Sequence, residues 1–104
     1  MAPSQEPALA GVKPPPATLI SLIEVHALQV LLFTGRQPDP RTGQAGKNLD
    51  FAQHNIEMLE MLKEKTQGNR TDAETRALDQ YLNLARLAYV EAVKESETDD
   101  TTQE

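Results

Sequence analysis

Residues 18–33 read Thr-Leu-Ile-Ser-Leu-Ile-Glu-Val-His-Ala-Leu-Gln-Val-Leu-Leu-Phe, and where the apolar side chains fall in that stretch decides the fold. At about 100° per residue, Leu19, Ile20, Ile23, Ala27, Val30 and Leu31 gather on one arc, as the core face of a helix does. Thr18 can cap such a helix, because its hydroxyl can accept from an N–H that the first turn leaves unsatisfied. Gly35 and the prolines beyond it end the helix. Val25, Leu28 and Leu32 collect on the opposite side, where a helix of a small bundle ordinarily shows water polar groups. A helix apolar on both sides is expected to be covered on both sides.

Before this segment, residues 1–17 are rich in Pro, Ala, Ser and Gln and end in Pro14-Pro15-Pro16. They hold too few bulky apolar groups to offset the entropy of ordering, so they are expected to form a disordered arm. After it, residues 34–47 form a long connection whose Pro38-Asp39-Pro40-Arg41-Thr42-Gly43 string is turn chemistry. Asn48 caps a second helix to about Thr66, with Leu49, Phe51, Ala52, Ile56, Met58, Leu59 and Leu62 on its apolar half and Asn55 among them. Gly68 closes that helix, and Thr71-Asp72-Ala73-Glu74 is a capping box that opens a third. So short a connection folds the two helices into an antiparallel hairpin. In the third helix Leu78, Leu82, Ala85, Tyr89 and Ala92 step by four and three, the seam spacing of close helix packing. The predicted fold is therefore all-α: a hairpin of about 48–66 and 71–95 packed with a hydrophobic first helix of about 18–33. The helical domain spans 18–95, and the acidic residues 96–104 are expected to form a disordered tail.

The totals restrict the function. A chain of 104 residues holds a single domain, and its core is Leu, Ile, Val, Ala and Met, since aromatics are 4% and Trp is absent. With no cysteine, disulfides, thiolate metal sites and thiol catalysis are excluded together. A net charge of −6, with no cluster of Lys and Arg, argues against a nucleic-acid partner. The start lacks the charged residues and apolar run of a secretory signal. Residues 19–33 are too short to span a bilayer and carry Glu24, His26 and Gln29, so no membrane partner is expected.

Three strings, Pro38-Asp39-Pro40-Arg41-Thr42-Gly43, Asn48-Leu49 through His54-Asn55-Ile56-Glu57-Met58-Leu59, and Glu64-Lys65-Thr66-Gln67-Gly68-Asn69-Arg70-Thr71, resemble the small bacterial family catalogued as domain of unknown function 1844. The resemblance covers about residues 18–93, and Glu-Lys-Thr-x-Gly-Asn-x-Thr is its most specific part. It implies a compact cytoplasmic helical domain with no assigned activity and no catalytic residues to carry over.

Residue chemistry offers few sites. His54 and Glu57 lie three apart on one helix face and could give two ligands to a metal, with His26 as a third. Glu24 and His26, about 160° apart on their helix, cannot both point into one site. The plain reading of His54 and Glu57 is a polar pair at the edge of the packed face. Gly43 to Asn48 has the glycines and lysine of a phosphate loop but not its spacing, its Ser or Thr, or its strand. Arg36, Arg41 and Lys47 make the 34–47 connection locally positive; the plain reading is a solvated loop, and the alternative is docking to an acidic partner or to the chain's own acidic tail. Asn55 must be paired if buried, either at a subunit contact or to backbone of the long loop.

No catalytic constellation appears, so the chain is expected not to be an enzyme and to need no cofactor. The leading expectation is a self-associating structural or protein-interaction module, a homo-oligomeric dimer or tetramer using Leu22, Val25, Leu28, Leu32 and Val90. An adaptor that offers the first helix to a different protein is a variant of this. The alternative is a metal- or small-ligand-binding protein using His26, His54 and Glu57.

Overall fold

A computed structural model of the chain describes residues 11–38, 43 and 46–103, with 98–103 as backbone alone. Three helices make up the fold: α1 (Leu19–Phe33), α2 (Leu49–Lys65) and α3 (Asp72–Gln103). Each starts where a side chain satisfies free backbone donors. Thr18 Oγ1 accepts from the Ser21 N–H at 3.1 Å, and Asn48 Oδ1 accepts from the Phe51 N–H at 3.2 Å. At α3 the capping box is reciprocal, with the Glu74 N–H donating to Thr71 Oγ1 at 3.1 Å and the Thr71 N–H to Glu74 Oε1 at 2.8 Å.

Contacts between helices set the topology. His26 meets Asn55, and Phe33 stacks on Phe51, so α1 and α2 run antiparallel. Gln53 meets Tyr89 while Lys63 meets Asp79, so α2 and α3 are antiparallel too. Glu24 bonds Tyr81 and Arg36 bonds Glu95, which leaves α1 parallel to α3. Ile23, Ala27 and Val30 of α1 close on Ala52, Ile56 and Leu59 of α2 and on Leu78, Leu82, Ala85 and Ala88 of α3. Burying each large aliphatic side chain here stabilises the fold by roughly 1.5–3 kcal/mol. The alanines let the helix backbones approach closely.

The string Glu64 to Thr71 is spent on the turn between α2 and α3. Thr66 Oγ1 donates to the Leu62 carbonyl at 2.7 Å, the Asn69 N–H donates to the Thr66 carbonyl at 2.9 Å, and Gly68 takes φ 86, which a side chain would strain. Arg70 ties the corner, donating to the Lys63 carbonyl at 2.6 Å, Thr66 Oγ1 at 3.0 Å and Thr75 Oγ1 at 3.1 Å. At the end of α1, Gly35 at φ 79 allows its own N–H and that of Arg36 to reach back to the Leu32 and Leu31 carbonyls.

One boundary and one side chain differ from the sequence reading. That reading ends α3 at about Glu95 and leaves 96–104 outside the domain, whereas the helix runs on to Gln103. Residues 96–103 contain neither Gly nor Pro, so nothing local breaks the hydrogen-bond ladder. With 32 residues against 17, α3 is longer than α2 by roughly 22 Å. Phe51, expected on the core half of α2, is exposed, because its ring lies outside the core against Phe33 at 5.4 Å. Of the arm expected over 1–17, residues 11–17 are exposed and irregular, and residues 1–10 lie outside the described residues.

Ala85 is fully buried where α3 faces the other two helices, and a larger side chain has no room there. Ala85→Leu is expected to destabilise the protein by about 1–3 kcal/mol in urea unfolding. An unchanged midpoint would show that the helices are not in close contact at this residue.

Candidate functional site

The side of α1 turned away from the core is where the molecule departs most from an ordinary bundle. Leu22, Val25 and Leu28 are 43%, 40% and 44% exposed, in a row with spacings of three along the helix. Leu32 continues the row and is half-buried, so it is less open than the sequence reading has it. Glu24, the only carboxylate in α1, is turned to α3, where it accepts from the Tyr81 hydroxyl at 3.3 Å. Burial first, and the Glu24 carboxylate second, raise the Tyr81 phenol above its usual 10.0. The exposed row therefore carries no ionised group that a covering partner would have to strip of water.

Helix α3 extends this face. Tyr81 bonds Glu24, and the two helices run parallel, so Leu84, one turn past Tyr81, stands level with Leu28, one turn past Glu24. Leu84 is 43% exposed and Leu87, a further turn along, is 58% exposed. Neither residue belongs to the four-three stripe of core positions that the sequence of α3 displays. Apolar residues off that stripe were the available signal. Val90, grouped with the α1 residues on sequence grounds, is exposed but follows Arg86 by one turn, on the row that bonds Glu60 and Lys63 of α2. It belongs to a different side of the molecule from Leu22, Val25 and Leu28.

The remaining sequence candidates resolve into structure. Asn55 is buried and donates through Nδ2 to the Phe51 carbonyl at 2.9 Å, which turns its Oδ1 to His26 Nδ1 at 2.8 Å. An amide oxygen only accepts, so His26 carries its proton on Nδ1. Asn55 thus pins α1 to α2 within one chain, away from the surface, and its amide is taken up by His26 and Phe51 rather than by any described residue of the 34–47 connection. His54 lies on the surface, edge-on to Phe51 at 6.5 Å, and Glu57 accepts from Gln53 at 3.4 Å. Among the described residues no three of His, Cys, Asp and Glu are grouped as a metal ion requires, and the set His26, His54 and Glu57 is not brought together. A metal-binding reading has no ligand set here.

The positive connection meets the chain's own acids. Arg36 holds both carboxylate oxygens of Glu95 at 3.2 and 3.1 Å and lies 3.7 Å from Glu91, while Lys47 reaches Glu95 at 3.0 Å. The ends of the connection are joined by a bridge between Thr34 and Lys47. For Arg36 and Lys47 the plain reading of a solvated loop thus gives way to docking on α3, at Glu91 and Glu95 and so ahead of the acidic tail that the sequence reading offers; Arg41 lies outside the described residues. Lys47 foremost, and then Arg36, hold the Glu95 carboxyl below its usual 4.5. No described helix is long and apolar enough to cross a membrane.

Comparison with known proteins agrees with the resemblance seen in the sequence. The model of the family described as "Domain of unknown function (DUF1844)" matches residues 16–91. No curated protein matches the chain, and no solved structure does.

Two outcomes follow from these contacts. Asn55→Ala removes the acceptor of His26 and opens a gap between α1 and α2, so urea unfolding should show a loss of about 1–3 kcal/mol. A loss within measurement error would mean that the pair contributes nothing. Because the carboxyl of Glu95 is lowered on folding, its contribution is present above the unfolded value and fades as pH falls through the folded one. Wild type should therefore be more stable than Glu95→Gln at pH 7, with the gap closing in acid below the usual carboxylate range. A gap that persists unchanged in acid would assign it to packing instead.

Proposed function

This chain belongs to the family described as domain of unknown function (DUF1844), which brings no activity with it, and from its own surface we propose that it is a self-associating helical module. One observation carries the proposal: the outer row Leu22, Val25 and Leu28 is apolar, free of ionised groups and left two-fifths or more exposed by the chain itself. Full burial of such side chains is worth roughly 1.5–3 kcal/mol each, of which more than half is already realised within the fold, leaving roughly 2–4 kcal/mol per copy for the three. Leu84 and Leu87 add roughly 1.5–3 kcal/mol per copy. Two copies together then gain roughly 7–14 kcal/mol from burial, against an association cost of about 4–15 kcal/mol. The α1 row alone, at roughly 4–8 kcal/mol for two copies, meets only the lower part of that cost, and the α3 leucines carry the gain over most of its range. The proposal takes the cytoplasm as its setting, as the family resemblance implies, and assigns the chain no catalysis.

Light scattering behind a sizing column at micromolar concentration should give a mass above that of one 11.5 kDa chain. Leu28→Asp should reduce it to a single chain with the helix content intact. A wild-type mass of one chain contradicts the proposal; an oligomer that Leu28→Asp leaves unchanged locates the contact elsewhere.

A further inference from the structure

Resting on the self-association proposed above, we infer that covering this face takes up a proton at Glu24, so that self-association is regulated by pH. The row on α1 carries no ionised group of its own, but the face has two parts, and the bond from Tyr81 to Glu24 lies at the seam between that row and Leu84 and Leu87 of α3. Leu28 stands one turn past Glu24 and Leu84 one turn past Tyr81, about 5–6 Å along each helix. A partner broad enough to cover Leu28 and Leu84 together therefore closes over the Glu24 carboxylate, which the chain alone leaves exposed. Either direction of the second copy has this effect, since only the width of the contact decides it.

The surroundings of Glu24 determine what covering does to its charge. Among the described residues its one bonded partner is the Tyr81 hydroxyl, a neutral donor at 3.3 Å. Burial, and then the Glu24 carboxylate, hold that phenol above its usual 10.0, so it stays protonated and donating at neutral and acid pH. Arg76 and Arg86, five residues to either side of Tyr81 on α3, make no ion pair with Glu24, and Arg86 is bonded to Glu60 instead; Lys13 of the arm makes none either. Asp79 is turned to Lys63 of α2, and His26 to Asn55 on the α2 side of α1. A carboxylate covered here loses its hydration and gains no cation in exchange, so the covered state favours the protonated carboxyl. Protons therefore promote covering: association tightens as pH falls through the titration of Glu24 and weakens as pH rises to 7.

The net charge of −6 also shrinks toward acid and eases repulsion between copies whatever Glu24 does, so the test is a difference between two proteins. Glu24→Gln keeps the size of the side chain and an oxygen to accept from Tyr81, and it does not ionise. Sedimentation equilibrium of wild type and Glu24→Gln, in physiological salt from pH 7 down to about pH 4, gives the association constant of each, with helix content and urea unfolding to show that both are folded. Glu24→Gln is expected to associate roughly tenfold more tightly than wild type at pH 7, with the two constants converging in acid. Equal constants at every pH would place Glu24 outside the contact, and weaker association of Glu24→Gln at pH 7 would make the charge an attraction; either overturns the inference, as does a gap that acid leaves unchanged, while self-association stands. A wild type that is a single chain at every pH removes self-association itself and this inference with it.

Discussion

The packing of Ile23, Ala27 and Val30 into the groove between α2 and α3 is the contact on which the rest of the structure depends, because α1 is joined to the hairpin by a long connection and, beyond the backbone bonding of Phe33 and Thr34 to Lys47 and Asn48 at its end, is held by side-chain contacts. The hairpin itself is set locally, by a short turn in which nearly every polar group is satisfied by a near neighbour. Two polar pairs then fix α1 lengthwise. His26 to Asn55 sets it against α2 and Glu24 to Tyr81 against α3, one on each side of the buried row. Arg36 and Lys47 on Glu95 tether the chain just beyond α1 and just before α2 to the far part of α3. Once α1 is seated in this way its opposite row has to face outward, and the apolar surface follows from the same rotation that builds the core.

The string most specific to the family does no visible chemistry. Thr66, Gly68, Asn69, Thr71 and Glu74, with Arg70, close a turn and cap a helix, and each answers to the geometry of the backbone. Where the chain looks most distinctive as a sequence, it is therefore most fully explained as structure. The exposed apolar surface is instead composed of leucine and valine, residues with no signature of their own, whose meaning lies in which side of a helix they occupy.

Much of this was legible beforehand, and for local reasons. Caps at Thr18, Asn48 and Thr71 depend on side chains bonding backbone three residues away, and the core of α1 depends on a period of 3.6; both are written in short stretches. Likewise the divergence of Glu24 and His26 is a matter of angle alone, and each meets a different helix. What escaped depends on contacts distant in sequence. That Asn55 would find His26, that Arg36 and Lys47 would find Glu95, and that Leu84 would stand level with Leu28 all require knowing how helices are placed. Val90 was grouped with α1 for the same reason, its hydrophobicity being visible and its side of the bundle not. The end of α3 is hard to place from sequence because the aspartates and threonines there are poor helix formers, which weakens a helix without stopping it.

The central claim is that a second copy covers the outer row of α1. Methyl resonances of Leu22, Val25 and Leu28 can be followed in the presence of a soluble paramagnetic relaxation agent across a concentration series, with Leu59 and Leu82 of the core as internal references. The claim requires the three outer methyl groups to be strongly relaxed in dilute solution and to become shielded as concentration rises, while Leu59 and Leu82 stay shielded throughout. Outer methyl groups relaxed to the same extent at every concentration would contradict it.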